Sequence, residues 1–114
     1  MPARLKRKSP RFYVYVIRLL PSVLEEPDFF AENPRHRVDK PCVYVGSTYL
    51  TPLLRYRQHV AGYKSCSKVR KHHDARSPLI RRFQCHFPER RSAEAHERTL
   101  AATLRGRGYA VWQN

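Results

Sequence analysis

The chain has 114 residues and a mass of 13.5 kDa, enough for one modest hydrophobic core and too little for two. Its 23 lysines and arginines against 9 acidic residues leave a formal charge of +14, which favours a polyanionic partner, above all a nucleic acid. No run is long and apolar enough to span a membrane, since Arg18 interrupts the best candidate, and three cysteines without a CxxC pair argue against a disulfide framework. That cysteine usage points to a reducing compartment, the cytoplasm or, in a bacterium, the nucleoid.

Residues 1–11 read as a basic arm that either lies on phosphates or keeps the protein soluble. The apolar run that follows is aromatic and β-branched and has no small-residue cleavage site, so it predicts a first strand over 12–20, "FYVYVIRLL", and not a secretory signal. Its β-formers lie on both faces, as in a strand covered on two sides. Residues 21–41 hold four prolines and five of the nine acids, which predicts a long loop or lid with at most a short helical turn. "CVYVGS" at 42–47 then predicts a second strand returning antiparallel to the first and stopping at its glycine.

A helix is well marked after it: Thr51 as N-cap, Pro52 in the first turn, Gly62 at the far end. Leu53, Tyr56 and Val60 share one face of that helix, while Arg55 and His59, four apart, share a neighbouring face and can reach one object. Residues 63–78 are strongly basic, with a short helix through Lys68–His72 that ends before Pro78. "LIRRFQCHF" at 79–87 is either a third strand or an extended ladder element. A last long helix is predicted over 92–107, with Ser92 as N-cap and Gly108 as the stop, and "YAVWQ" at 109–113 closes the chain as a short strand.

On that last helix Ala93, Leu100 and Leu104 form the apolar stripe, and Glu97 falls on it. A carboxylate facing inward needs a cation, whether a metal ion or a buried arginine partner. Glu94 pairs with Arg98 on the outer face. Tyr13 and Tyr15 point to one face of the first strand and Tyr44 of the second lies across from them, as core packing or as reactive phenols. Phenols, a helical Arg–His pair and one inward acid are together what phosphodiester hydrolysis requires.

In order and over nearly the whole chain, "YVY" at 13–15, "YVG" at 44–46, the helical "RYRQH" at 55–59 and the Glu97 helix resemble the GIY-YIG nuclease family. The resemblance implies an α+β fold, a small three-stranded antiparallel sheet flanked by helices in a single domain over 12–114, and single-metal hydrolysis of a nucleic-acid strand, most readily DNA, with Mg²⁺ or Mn²⁺. Tyr15 and Tyr44 match the family's two tyrosines, which bind or deprotonate the attacking water. Arg55 matches the helical arginine that steadies charge on the scissile phosphate. His59 stands where the family carries histidine or tyrosine, and Glu97 resembles its sole metal-binding carboxylate. The first tripeptide lacks a glycine, and the stretch "STYLTPLL" before the arginine is one residue longer than the family pattern, which keeps Arg57 open as the alternative to Arg55. The family's late asparagine is matched by Asn114 or replaced by Gln113.

Backbone contacts are expected from Lys64, Lys68, Arg70 and Lys71, with Arg81 and Arg82 beyond, a base stack from Tyr63, and further nucleic-acid contacts from Tyr13 and Arg57. Two rivals remain: a basic nucleic-acid-binding module that has lost catalysis, and a zinc-stabilised module using Cys66, His72 or His73, Cys85 and His86.

Overall fold

The computed structural model describes residues 11–113; the basic arm up to residue 10, and Asn114, lie outside them. The fold is α+β and built on one sheet. Strand β1 (Phe12–Leu19) is central, as its two apolar faces demand. The backbone then makes a short 3₁₀ turn (Pro21–Glu25) and a one-turn helix α1 (Pro27–Ala31), so the proline-rich excursion carries more helix than a plain loop. Strand β2 (Cys42–Thr48) returns antiparallel to β1 with Tyr15 opposite Gly46 and Ile17 opposite Tyr44. It continues through Gly46 to Thr48 and does not stop at the glycine.

Helix α2 (Pro52–Ala61) has the predicted ends: the Thr51 side chain accepts from the Leu54 N–H, and Gly62 closes it at φ 87, a conformation costly to any residue with a Cβ. Its buried face differs from the one predicted. Leu53 and Val60 stay largely in solvent, and Pro52 and His59 go inward. Helix α3 (Ser67–His72) follows.

The stretch 79–87 forms only part of a strand. It meets β1 at a single bridge, Leu79 opposite Ile17, breaks into a 3₁₀ turn at Arg81–Phe83, and pairs again as β3 (Cys85–Phe87) beside Phe12–Val14. Helix α4 (Arg90–Gly106) begins two residues before Ser92, with Glu89 at its N-cap position, so Ser92 lies inside the first turn. The expected Glu94–Arg98 pair is not made among the described residues; both side chains are exposed.

Strand β4 (Ala110–Gln113) corrects the expected sheet. It runs parallel to β2, giving a four-stranded mixed sheet in the order β3-β1-β2-β4 instead of three antiparallel strands. The direction follows from the connection, since α4 crosses one face of the sheet and returns the chain beside Cys42–Val45. Val14, Val16, Val43, Val45 and Val111 pack against Ala93, Ala101 and Leu104 of α4. Tyr15, Ile17, Leu19 and Tyr44 fill the opposite face with Val23, Phe29 and Val69. The outer edge of β4 is covered by Asn33, whose amide accepts from Val111 N–H at 2.7 Å and donates to Val111 C=O at 3.1 Å, joined there by Arg105.

Candidate active site

The α2-side face of the sheet is where the two strand tyrosines meet the histidine of α2. Tyr15 and Tyr44 are fully buried, with ring centroids 6.1 Å apart, and His59 packs edge-on to Tyr44 at 5.2 Å. Tyr15 Oη lies 2.9 Å from His59 Nε2. The other imidazole nitrogen, Nδ1, accepts the backbone N–H of Cys66 at 3.1 Å. A neutral ring carries one proton, so that contact fixes it on Nε2 and makes His59 a donor to the Tyr15 oxygen. Burial, helped by the charge of Arg55, pushes the imidazole pKa down to about 4, so the ring is neutral near pH 7.

Burial also pushes the Tyr15 phenol up to about 12, against the Arg55 charge and hydrogen bonding from Tyr44 and Arg55, which favour its ionised form. Tyr44 is raised further, by burial first and then by its neighbour Tyr15. Of the two phenols, Tyr15 is therefore the one whose anion is better supported.

Room for the Tyr15 ring comes from Gly46. A Cβ built there would lie 2.7 Å from Tyr15 Oη and 2.9 Å from the Tyr44 ring. Gly46 belongs to the site as a gap, whereas the sequence marks it as a strand end and as the last residue of the "YVG" tripeptide, without a packing role; the signal was a glycine followed by Ser-Thr, residues that let a strand continue.

Arg55 is half-buried and its charge reaches both Tyr15 and His59, whereas Arg57 is exposed. The structure thus brings Arg55, not Arg57, to the phenols. Three of its N–H groups are engaged, by Gln58 Oε1 (2.9 Å), Tyr63 C=O (3.2 Å) and Lys64 C=O (2.7 Å).

Glu97 projects from α4 on the other side of the sheet, at the edge of β2. Pairing with β4 ends at Val45 opposite Gln113, so β2 continues past it. There Gln113 Nε2 donates to Glu97 Oε2 at 3.2 Å, and Ser47 also hydrogen-bonds the carboxylate. Glu97 is 4 % exposed. Burial raises its pKa, opposed by these two neutral donors, and its charge is felt by both phenols. The site therefore straddles the β2 edge, with the acid on one face and the phenols on the other.

Among the described residues no lysine or arginine nitrogen lies within ion-pair distance of Glu97, so the buried arginine partner considered as an alternative is not formed. Nor do three or more His, Cys, Asp or Glu side chains gather into a metal cage there. The proposed zinc set is dispersed: His72 is held by Ser22 and Glu26, and His73 by Tyr56. A buried acid hydrogen-bonded by neutral groups, with the Arg98 charge nearby but no ion pair made, fits a divalent ion completed by water and phosphate oxygens.

Lys68 departs from its expected role. Its ammonium is buried, bonded to Glu26 (2.9 Å) and Asp28 (2.8 Å), and sits 4.5 Å over the Trp112 ring. Two acids from the excursion reach it, which makes it a strut between α1 and α3 and not a surface cation. Tyr13 is half-buried against His86. Tyr63, Lys64, Arg70, Lys71, Arg81 and Arg82 remain exposed.

A family model described as the GIY-YIG catalytic domain matches residues 11–110. No curated protein and no solved structure matches the chain.

Proposed function

The chain belongs to the GIY-YIG family of nucleases, and from that premise we propose that it is a divalent-metal-dependent endonuclease that cuts nucleic-acid strands, DNA in the first place. The observation that carries the reading is the Tyr15–His59 contact beside Arg55 and Tyr44, with Glu97 buried and making no ion pair among the described residues at the same strand edge. The +14 charge supports a polyanionic substrate.

Glu97, positioned by Ser47 and Gln113, would hold the metal. A bound divalent ion supplies Lewis-acid polarisation of the scissile phosphate and stabilises the departing oxygen. Tyr15 orients the attacking water, and any negative charge on its oxygen is met by the His59 N–H, the Tyr44 hydroxyl and Arg55. His59 acts as a fixed donor to Tyr15 and not as its base, because Cys66 N–H already occupies the only basic nitrogen. Arg55 offers its remaining N–H groups and full charge to the phosphate as bonds to phosphorus form and break.

The test is strand scission by the purified chain on end-labelled DNA and RNA with Mg²⁺ or Mn²⁺, beside a chelator control and Glu97→Gln. Metal-dependent cutting of DNA that the variant lacks is the expected result. Equal products from both proteins, or none from either, would leave only a binding module of the same fold.

A further inference from the structure

The outward side of α2 keeps apolar groups in water next to the site. Leu54 is 49 % and Tyr63 56 % exposed, and with Leu50, Arg57, Gln58 and Ala61 they line a shallow cleft of about 480 Å³. Scattered surface leucines need no explanation, but an aliphatic floor with an aromatic wall does.

The cleft is physically continuous with the candidate site through Arg55. That guanidinium bonds Gln58, which lines the cleft, and the carbonyls of Tyr63 and Lys64. The turn it holds is strained: Lys64, at φ 43, is the only non-glycine with positive φ among the described residues, and Gly62 on the other side of Tyr63 has φ 87. A conformation this unfavourable persists only when its surroundings enforce it, and the Arg55 bonds do so. Lys64 Nζ stands 5.6 Å from the Tyr63 ring, and Arg57 lines the cleft, whose wall has no acidic residue among the described residues.

An apolar floor, a phenol ring and two flanking cations suit a flat ring attached to phosphate. In a duplex the faces of the bases are covered by their neighbours, so only an unpaired nucleotide can offer one. A second copy of the chain is disfavoured, since two +14 molecules would bring Arg57 and Lys64 against their own kind.

The geometry points to a base-binding cleft at Leu54 and Tyr63 that selects substrates with an unpaired nucleotide beside the cut, such as an overhang, bulge or flap. This rests on the nuclease reading and adds the substrate class to it.

The test is equilibrium binding of the full chain, in chelator so that no cutting occurs, to two labelled DNA duplexes that differ by one unpaired 2-aminopurine. The wild type should bind the bulged duplex roughly tenfold or more tightly and quench its fluorescence. Tyr63→Ala should bring the affinity ratio near one, and Tyr63→Phe should restore it. Equal affinities for the two duplexes, a ratio unaltered in Tyr63→Ala, or a Tyr63-dependent dimer in place of the preference would overturn the inference. A preference that stands while the metal-dependent cutting assay fails would instead remove the nuclease reading and keep the cleft.

Discussion

Gly46 lies directly opposite Tyr15 across the β1–β2 ladder, and the Tyr15 phenol occupies the space a side chain at 46 would need, to within 2.7 Å. Gly46→Ala must therefore push the phenol aside or bend the strand. We expect strand scission to fall about a hundredfold and stability to fall by about 1–3 kcal/mol. Cleavage rates with parallel thermal melts decide it; activity within threefold of wild type would show that the close approach has no catalytic consequence.

His59 gives the fold a pH dependence of known sign. Its pKa is pushed down from 6.5 to about 4 by burial first and the Arg55 charge second, so between those values the unfolded chain binds the extra proton. The stabilisation is fully present above about pH 6.5 and is lost as the pH falls through 4, an effect on the order of 3 kcal/mol. Melting temperature followed from pH 7 to 4 should drop less in His59→Gln than in wild type. Parallel curves would exclude His59 as a source.

Glu97 should show opposed effects on stability and activity. Burial raises its pKa, so the ionised acid at neutral pH strains the metal-free fold. Glu97→Gln is expected to match or exceed wild type in melting temperature in chelator, and to lack cutting. Mg²⁺ or Mn²⁺ should raise the melting temperature of wild type and not of the variant. A shift of equal size in both proteins would place the ion elsewhere.

Lys68 and Lys64 should separate cleanly by experiment although both are basic residues of one stretch. Removing the buried Lys68 leaves Glu26 with His72 as its one remaining partner among the described residues, so Lys68→Ala should cost on the order of 1–3 kcal/mol, less than a fully buried pair because Asp28 is largely exposed. The exposed Lys64, Arg70 and Lys71 should instead each flatten the slope of log affinity against log salt by about one when changed to alanine, with little change in melting. Stability loss from the surface substitutions in place of a reduced slope would reverse this assignment.

Where local chemistry decides structure, the residues were readable. Thr51, Pro52 and Gly62 mark α2 because capping involves only near neighbours, and the inward Glu97 follows from helical spacing. Tertiary choices were not. A four-residue strand has no local signal for its direction, so the parallel pairing of β4 came from the α4 crossover. The apolar stripe of α2 is only partly buried: Tyr56 packs on the core, but Leu53 and Val60 stay exposed because the strand tyrosines draw His59 inward instead. Lys68 looked like its basic neighbours because its partners, Glu26 and Asp28, lie some forty residues back along the chain.

Asn33 has a consequence for how the protein keeps to itself. Its amide occupies both polar groups of Val111 on the outermost strand, doing with one side chain what a further strand would do with its backbone. Without it, that rim would invite another molecule's backbone to dock and extend the sheet end on end. Light scattering of concentrated Asn33→Ala should rise where wild type stays clear, since Arg105 would still cover the Val111 carbonyl but the Val111 N–H would be left open to a passing strand.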